Sequence, residues 1–471
     1  MADVGSHHFV KASSRSDRVL VPQPSQSPHD PLNWSKTWKI TVICLSTAVS
    51  FSQGLGPLAL APMFPQLMEA FDTDYAAVVK FTGVCILVLG FSNFFCYMGA
   101  CVLNGFGAGP AEVGPIIAGP MAQHVGWRSF FWFNVALLGL VLILVVFLFP
   151  ETKWHRVHPG EDTHAQEVLN SSDTGSEPEK TAAAAHKENA SIERSDTDPW
   201  LGRGYPSKQQ FKLWQLEGHN LKNLLISFWV PWKLLCFPIV EFAAFNVSWS
   251  ASVFLTLNLT QSEAFSKPPY NFSSQTIGFF NFAIWIGAFI GLATNGPLSD
   301  WISMKATKRN RGIREPEMRL PAIIPYVIVS IIGNFVVAFG YQYQWDWRVS
   351  MFIRGREACA LMRTAHQAIV IIGYTAAGIQ VAAIPAITST YAVDSYKPVA
   401  GSIFVSITVN KNVWGYGFSE FITPWVEKSG FVKPIMLNMS LAVLWCLFAI
   451  PFYFYGKRLR KWTAKSSVHK M

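Results

Sequence analysis

Apolar residues in this chain gather in long runs separated by short polar breaks. A helix needs about 20 mainly apolar residues to cross the hydrocarbon layer of a membrane. The runs that meet this length are Ile40–Phe64, Ala77–Met98, Gly99–Gln123, Phe130–Pro150, Trp232–Leu257, Ile277–Pro297, Pro321–Tyr341, Ala368–Tyr391, Val399–Ile422 and Pro434–Tyr455. Open sheet edges are forbidden in lipid, so the runs are read as helices. The pattern predicts an all-α polytopic membrane protein with about ten transmembrane helices.

The polar breaks assign sides. The first 38 residues hold no apolar signal core, so the N-terminus is expected in the cytosol and Ile40–Phe64 as an uncleaved anchor. The loop with Glu69, Asp72 and Asp74 then falls outside. So does NLTQSEAFSKPPYNFSSQ, whose sequons make Asn258 and Asn271 candidate glycosylation sites. The basic loop DWISMKATKRNRGIREPEMR and the tail with Lys457, Arg458, Arg460 and Lys461 fall inside, as basic loops should, leaving both termini cytosolic. One segment breaks the pattern. Arg348–His366 carries Arg348, Arg354, Arg356 and Arg363, and one mid-bilayer arginine costs roughly 3 kcal/mol, so an external loop or an insertion is expected there.

The chain divides accordingly. Residues 1–38 form a cytosolic tail and 39–150 an N-terminal bundle of about four spans. Residues 151–231, rich in Ser, Glu, Lys, Ala and Asp, cannot bury a core and are expected as a largely disordered cytosolic linker. Its later part suggests an amphipathic surface helix. Residues 232–456 form a C-terminal bundle of about six spans, and 457–471 a cytosolic tail.

Composition agrees with the pattern. The chain is 51% hydrophobic and 14% charged, against about a quarter charged in soluble proteins. The net charge of +9 sits in loops and tails, which argues against a nucleic-acid partner. The seven cysteines lie mostly inside spans, without disulfide or metal spacing. No P-loop or zinc-protease helix appears, and the histidines lack ligand spacing, so no enzyme, cofactor or metal is expected.

Polar residues inside spans are the candidates for function. Gln53 shares a helix face with Ser46, Ser50 and Pro57; Ser248 and Ser252 share one with Glu241, beside Trp249. Tyr374 and Gln380 lie on a later span with Pro385, and Asn410 on another with Ser402, Ser406 and Lys411. Such stripes either line a polar cavity or make interhelical hydrogen bonds of about 0.6 kcal/mol a pair. Burial raises a carboxyl pKa, so Glu241, with Lys411, is a candidate for proton coupling. Lys233 and Pro238 leave open that Glu241 lies near the membrane surface instead. Gly287 and Gly291 offer a bare face for close packing. Asp300 precedes Lys305, Lys308, Arg309 and Arg311, which suggests a charge clasp at a helix end. Gly114, Pro115, Gly119 and Pro120, in GPIIAGP, predict a kinked, smooth-faced helix suited to rocking against a neighbour.

Several motifs together resemble the major facilitator superfamily, in its fungal twelve-span drug:proton antiporter branch. They are DPLNWSKTWK, GPIIAGPMAQHVGWRSFFWFN, PETKWHR, GPLSDW with RNRGIREPEMRLP, AIPAITSTYAVDSYKPVAG and SITVNKNVWGYGF. The resemblance spans Asp30 to Lys461. It implies a two-bundle, alternating-access carrier with a midplane site. The protein would export a small organic compound, a xenobiotic or fungal metabolite, across the plasma membrane by proton antiport, as a monomer in the bilayer. Gln53, Trp249, Tyr374, Gln380 and Asn410 would face the substrate, with Asp300 and the basic loop gating the cytosolic side.

The chain also departs from that family. GFSNFF runs into CYMGACVLNGFGAGPAEV and then into GPIIAGP, as though the third helix and parts of the fourth and fifth were absent. Cys101 stands where the family places an arginine ahead of Gly105. Loss of two spans preserves the orientation of every later helix. A truncated or mis-spliced member without transport, or a sensor-like membrane protein, are the alternatives.

Overall fold

A computed structural model describes residues 7–8, 25, 27–95, 108–152, 200, 202–212, 229–268, 270–310, 312–343, 356–463 and 466. The helices are α1 (Lys36–Leu58), α2 (Phe64–Phe71), α3 (Tyr75–Phe95), α4 (Ala108–His124), α5 (Trp127–Leu148) and α6 (Pro238–Ser266). They continue with α7 (Ser274–Arg309), α8 (Ile323–Gln342), α9 (Arg356–Ser395), α10 (Ala400–Ser429), α11 (Val432–Leu447) and α12 (Ala449–Thr463). A two-residue ribbon pairs His7–His8 antiparallel with Ile313–Arg314. The architecture is that of an all-α polytopic membrane protein. Six stretches are long and apolar enough to cross a membrane by length and composition among the described residues: Trp127–Leu148, Pro238–Ser266, Ser274–Arg309, Pro316–Gln342, Val370–Ser395 and Val432–Thr463.

The helices start and stop where local chemistry directs. α6 opens on Pro238, which lacks the N–H that the first turn leaves unused. Ser273 caps α7, its hydroxyl accepting the Thr276 N–H at 3.4 Å. Gly430 ends α10 in a positive-φ conformation (74°). α9 runs through Pro385 as one helix.

The larger of two compact units holds residues 47–141 and 217–471, with 1–11. In it α7 and α8 pack along α9, α6 along α9 and α10, α3 along α10, and α4 along α7. Gly287 and Gly291 lie against the backbone of α9 as the small-residue face predicts, with Gly291 so close to Ile379 that a Cβ would stand 2.7 Å from its carbonyl oxygen. Separate apolar clusters fill the spaces, one around Phe242, Tyr391 and Ile403, another around Leu55, Phe64 and Phe130.

The smaller unit holds residues 12–46 and 142–216. Here the described parts of the expected tail and linker, residues 27–38 and 202–212, are held together by specific contacts. Asp30, Asn33 and Trp34 are buried. Asp30 accepts the N–H groups of Ser25 and Leu32, at 2.8 and 2.9 Å. Trp34 Nε1 donates to the His29 carbonyl. Residues 202–212 lie along this knot: Gly204 N–H donates to the Asn33 carbonyl, Ser35 N–H to the Gly204 carbonyl and Tyr205 N–H to the Pro28 carbonyl. Glu151 N–H donates to the Gln210 carbonyl. The amphipathic helix expected in the later linker is, over 202–212, an extended strap ending in a short 3-10 turn, Lys208–Phe211. Gly204, Pro206 and the paired polar side chains favour this, since the backbone bonds go to another segment and not to a helix.

Two further expectations are corrected. The span expected to end at Leu257 continues to Ser266, so Asn258 is helical and fully buried, its amide donating to Asn281 Oδ1 at 3.3 Å. It offers no glycosylation acceptor, whereas Asn271 is exposed in the α6–α7 turn. The arginine-bearing stretch is not all loop: residues 356–366 begin α9, while Arg348 and Arg354 lie outside the described residues. α12 carries the first residues of the C-terminal tail, to Thr463, and buries Arg460, a feature on which the sequence is silent. The joint proposed around residues 96–107, with Cys101, lies outside the described residues.

Candidate functional site

α6 is the polar spine of the larger unit. Ser248 donates to Asn410 Oδ1 on α10 at 3.2 Å. Ser250 accepts from Gln380 Nε2 on α9 at 3.0 Å. Thr256 accepts from Asn438 Nδ2 on α11 at 2.9 Å. With the Asn258–Asn281 bond to α7, four helices are each tied to α6 by a side-chain pair. These residues repeat around the whole helix circumference and not on one stripe, because α6 has neighbours on nearly every side.

Beside this spine, α6, α10 and α11 border an open cavity of about 470 Å³. Its walls are Trp249 from α6, Trp414, Phe418, Phe421 and Trp425 from α10, and Asn438 from α11. Trp249 meets Trp414 and Phe418 edge-on, with ring centroids 5.1 and 5.7 Å apart. Among the described residues, no charged side chain lines the cavity. Its walls are almost wholly apolar. Trp414 Nε1 and Asn438 Oδ1 are buried without a hydrogen-bond partner. The aromatic wall was legible in principle: 414, 418, 421 and 425 recur at helical spacing on one face.

The structure separates the expected substrate residues. Trp249 lines the cavity. Asn410 and Gln380 are engaged in the helix pairs above, Asn410 half-buried and Gln380 with Oε1 unpartnered. Tyr374 is fully buried and bonded through its hydroxyl to Tyr341, with Phe280 against it, so it packs in a core and does not reach the cavity. Gln53 is on α1, and its side chain lies outside the described residues. Glu241 sits in the first turn of α6, half-buried, with Oε2 unpartnered among the described residues. That is the helix-end position, where the dipole favours an acid. Lys411 lies within α10, half-buried, with no ion-pair partner among the described residues.

The two ends of the bundle are held differently. At one, the smooth face of α4 meets α7. A Cβ on Gly119 would stand 2.6 Å from the Ser274 carbonyl oxygen, and one on Gly278 2.6 Å from that of Pro115. Gly114 packs against Leu55 of α1 and Ala59 in the turn after it. Pro115 and Pro120 both lie inside α4. Gln66 donates to Ser274 Oγ, His124 pairs with Gln275 Oε1 and Tyr75 donates to the Leu259 carbonyl at the same end.

At the other end charges dominate. Asp300 pairs with Arg314 at 3.4 Å and Arg319 at 3.3 Å, and Arg319 with Asp394 at 3.1 Å. The clasp therefore exists, but its arginines follow the turn after α7. Arg309 is exposed and Arg311 lies outside the described residues. Nearby, Glu317 receives Arg460 in a two-point pair, and Lys457 reaches Glu315 at 2.7 Å. Burial pushes the neighbouring Tyr396 phenol up to about 12. The Glu317–Arg460 pair joins residues 143 apart in sequence, and no local signal announces it.

Comparison with known proteins agrees with this architecture. The family model described as Major Facilitator Superfamily matches residues 96–409. An uncharacterized MFS-type transporter of Schizosaccharomyces pombe is 24% identical, over 98% of this chain and 91% of its own length. Protein HOL1 of Saccharomyces cerevisiae is 22% identical over 95% of this chain and 91% of its own. Efflux pump radE of Floropilus chiversii is 22% identical over 96% and 86%. The helical bundle, its apolar spans and the match over most of its length make this chain a member of the Major Facilitator Superfamily, a multi-pass membrane protein of a family of small-compound transporters.

Proposed function

We propose that the protein exports a small organic compound, a xenobiotic or a fungal secondary metabolite, across the plasma membrane by proton antiport. The observation that carries this reading is the aromatic cavity beside the polar spine of α6. Trp249 and Asn438 would touch the substrate, and the neighbouring Ser248–Asn410 pair would answer changes there. Lys411 and Glu241 are the ionisable groups within reach of a coupling role, since neither has an ion-pair partner among the described residues. Relatives named as efflux pumps, radE and vrtL of Penicillium aethiopicum, support the outward direction. Gly119 against Gly278, and Asp300 with Arg314 and Arg319, would be the contacts that part and reform between states.

Expression in a drug-sensitive host is the test. Accumulation of at least one dye or toxin should fall, and Lys411→Ala should reverse the fall; unchanged accumulation across a broad panel overturns the reading. A tagged protein should ring the cell periphery.

One observation favours a second reading, a family member without transport. The alignment to the Schizosaccharomyces pombe relative runs to 557 positions, more than the 471 residues of this chain, so that relative carries segments this chain lacks. Sequencing transcripts across Phe95 and Gly114 separates the two. Transcripts holding the extra helices favour a complete carrier, and their consistent absence favours the inactive form.

A further inference from the structure

We infer that the N-terminal segment carrying His7–His8 is a built-in restraint on the charged end of the bundle: it adds a strand to the turn after α7 and slows the parting of the ion pairs there. Its effect on export rests on the export reading above; the strand pairing does not.

The turn leaves one strand edge free. Asn310 closes α7, its N–H donating to the Ala306 carbonyl at 2.9 Å. Gly312 follows at φ 84°, a left-handed conformation that favours glycine. The backbone of Ile313 is then taken by Asn310. The Ile313 N–H donates to the Asn310 carbonyl at 3.0 Å, and the Ile313 carbonyl accepts Asn310 Nδ2 at 3.1 Å. Successive strand residues aim their backbone groups to opposite edges, so those of Arg314 face the other way. That is the edge the N-terminal segment occupies, with His7 opposite Arg314 and His8 opposite Ile313. An open strand edge is a template for a further strand, recognised through the main chain. Both strands belong to the larger compact unit.

The consequence follows from what else this stretch holds. From Ile313 to Arg319 the chain meets α7, α9, α12 and the N-terminal segment. Arg314 and Arg319 pair with Asp300 of α7, and Arg319 with Asp394 of α9. Glu315 pairs with Lys457, and Glu317 with Arg460, both of α12. Arg314 is the shared residue: its backbone lies against His7 and its side chain reaches Asp300 at 3.4 Å. Release of the added strand loosens the backbone from which that side chain springs. Two residues pair on each strand. Two backbone hydrogen bonds shift an equilibrium by about tenfold, enough to bias the cluster and little enough to let go.

Two measurements on the full chain in lipid nanodiscs test this. In the register found, His8 and Ile313 form the pair between hydrogen-bonded positions. Cα atoms there approach to about 4.5 Å, within disulfide reach. A chain with His8→Cys and Ile313→Cys, and a protease site placed within residues 14–22, should keep its N-terminal peptide after cleavage until reductant is added. His8→Cys alone, or with Lys428→Cys at the far end of α10, should lose it. The second measurement is hydrogen exchange over residues 317–320, beside the ribbon and not part of it. His7→Pro removes the N–H opposite Arg314 and should quicken this exchange about tenfold. His7→Ala keeps the main-chain pairing and should not. Loss of the peptide from the double cysteine chain overturns the inference, as does equal exchange in His7→Pro and His7→Ala. Where the parent exports a compound, His7→Pro should raise the initial rate, and an unchanged or slower rate overturns the restraint. A parent that exports nothing, with both structural measurements as expected, sinks the export reading alone.

Discussion

Arg460 and Glu317 form a two-point ion pair almost out of contact with water. Nε donates to Oε1 at 2.9 Å and Nη2 to Oε2 at 3.0 Å, with side chains 2% and 5% exposed. The pair ties α12 to the turn ahead of α8, and Gly456 makes room for it, since a Cβ there would stand 2.6 Å from Glu317 Oε1. Removing one partner strands a buried charge. Arg460→Ala or Glu317→Ala should therefore cost about 3–5 kcal/mol, read as an earlier thermal transition of the detergent-purified protein. The double replacement Arg460→Met with Glu317→Leu should recover much of the loss. A double variant no better than the singles would show that the pair is not what they disturb.

Lys80 and Glu420 supply the contrast. They pair at 3.6 Å with side chains 53% and 35% exposed. Water and salt screen such a contact, so Lys80→Ala should change stability by less than about 1 kcal/mol. The same melting measurement that detects Arg460→Ala should barely register it.

The close approach of Gly119 and Gly278 predicts a conformational effect. Gly119→Val places a branched side chain where even a Cβ stands 2.6 Å from the Ser274 carbonyl oxygen. α4 and α7 must then separate at this end. A thiol introduced as Gln275→Cys should react faster with a maleimide in the Gly119→Val background than in the parent. Equal rates would show that the helices yield without parting.

Gly204 predicts the importance of the strap. Its Cα faces the Pro28 and Asn33 carbonyl oxygens so closely that any side chain must push the strap away, a Cβ standing 2.9 Å from the Asn33 oxygen. Gly204→Val should expose residues 202–212 to limited proteolysis and leave the larger unit's melting intact. Trp34→Ala should do the same, since emptying a fully buried indole costs about 3–5 kcal/mol.

Glycosylation offers a test of sidedness. Asn271 is exposed with Ser273 two residues on, whereas Asn258 is enclosed within α6. Asn271→Gln should abolish any glycosidase-sensitive mobility shift, and Asn258→Gln should not alter it. A shift that survives Asn271→Gln would place the sugar elsewhere.

The sequence by itself determined the class of this protein. Apolar runs of membrane length admit only helices, because lipid offers no partner for an unpaired backbone group. It also singled out Trp249, Asp300, Gly114 and Gly119, which the structure places at the cavity wall, in an ion pair and at close helix contacts. Which groups meet across the fold was decided only in three dimensions. Asp300 chose Arg314 and Arg319 over the nearer Arg309, Glu317 found Arg460, and the DPLNW stretch closed on Gly204. α6 runs past Leu257 to Ser266, and there Asn258 meets a buried partner, Asn281, from the next helix. Hydropathy reads one helix at a time, whereas the partners of a polar side chain come from helices distant in the chain. Packing alone selects those partners.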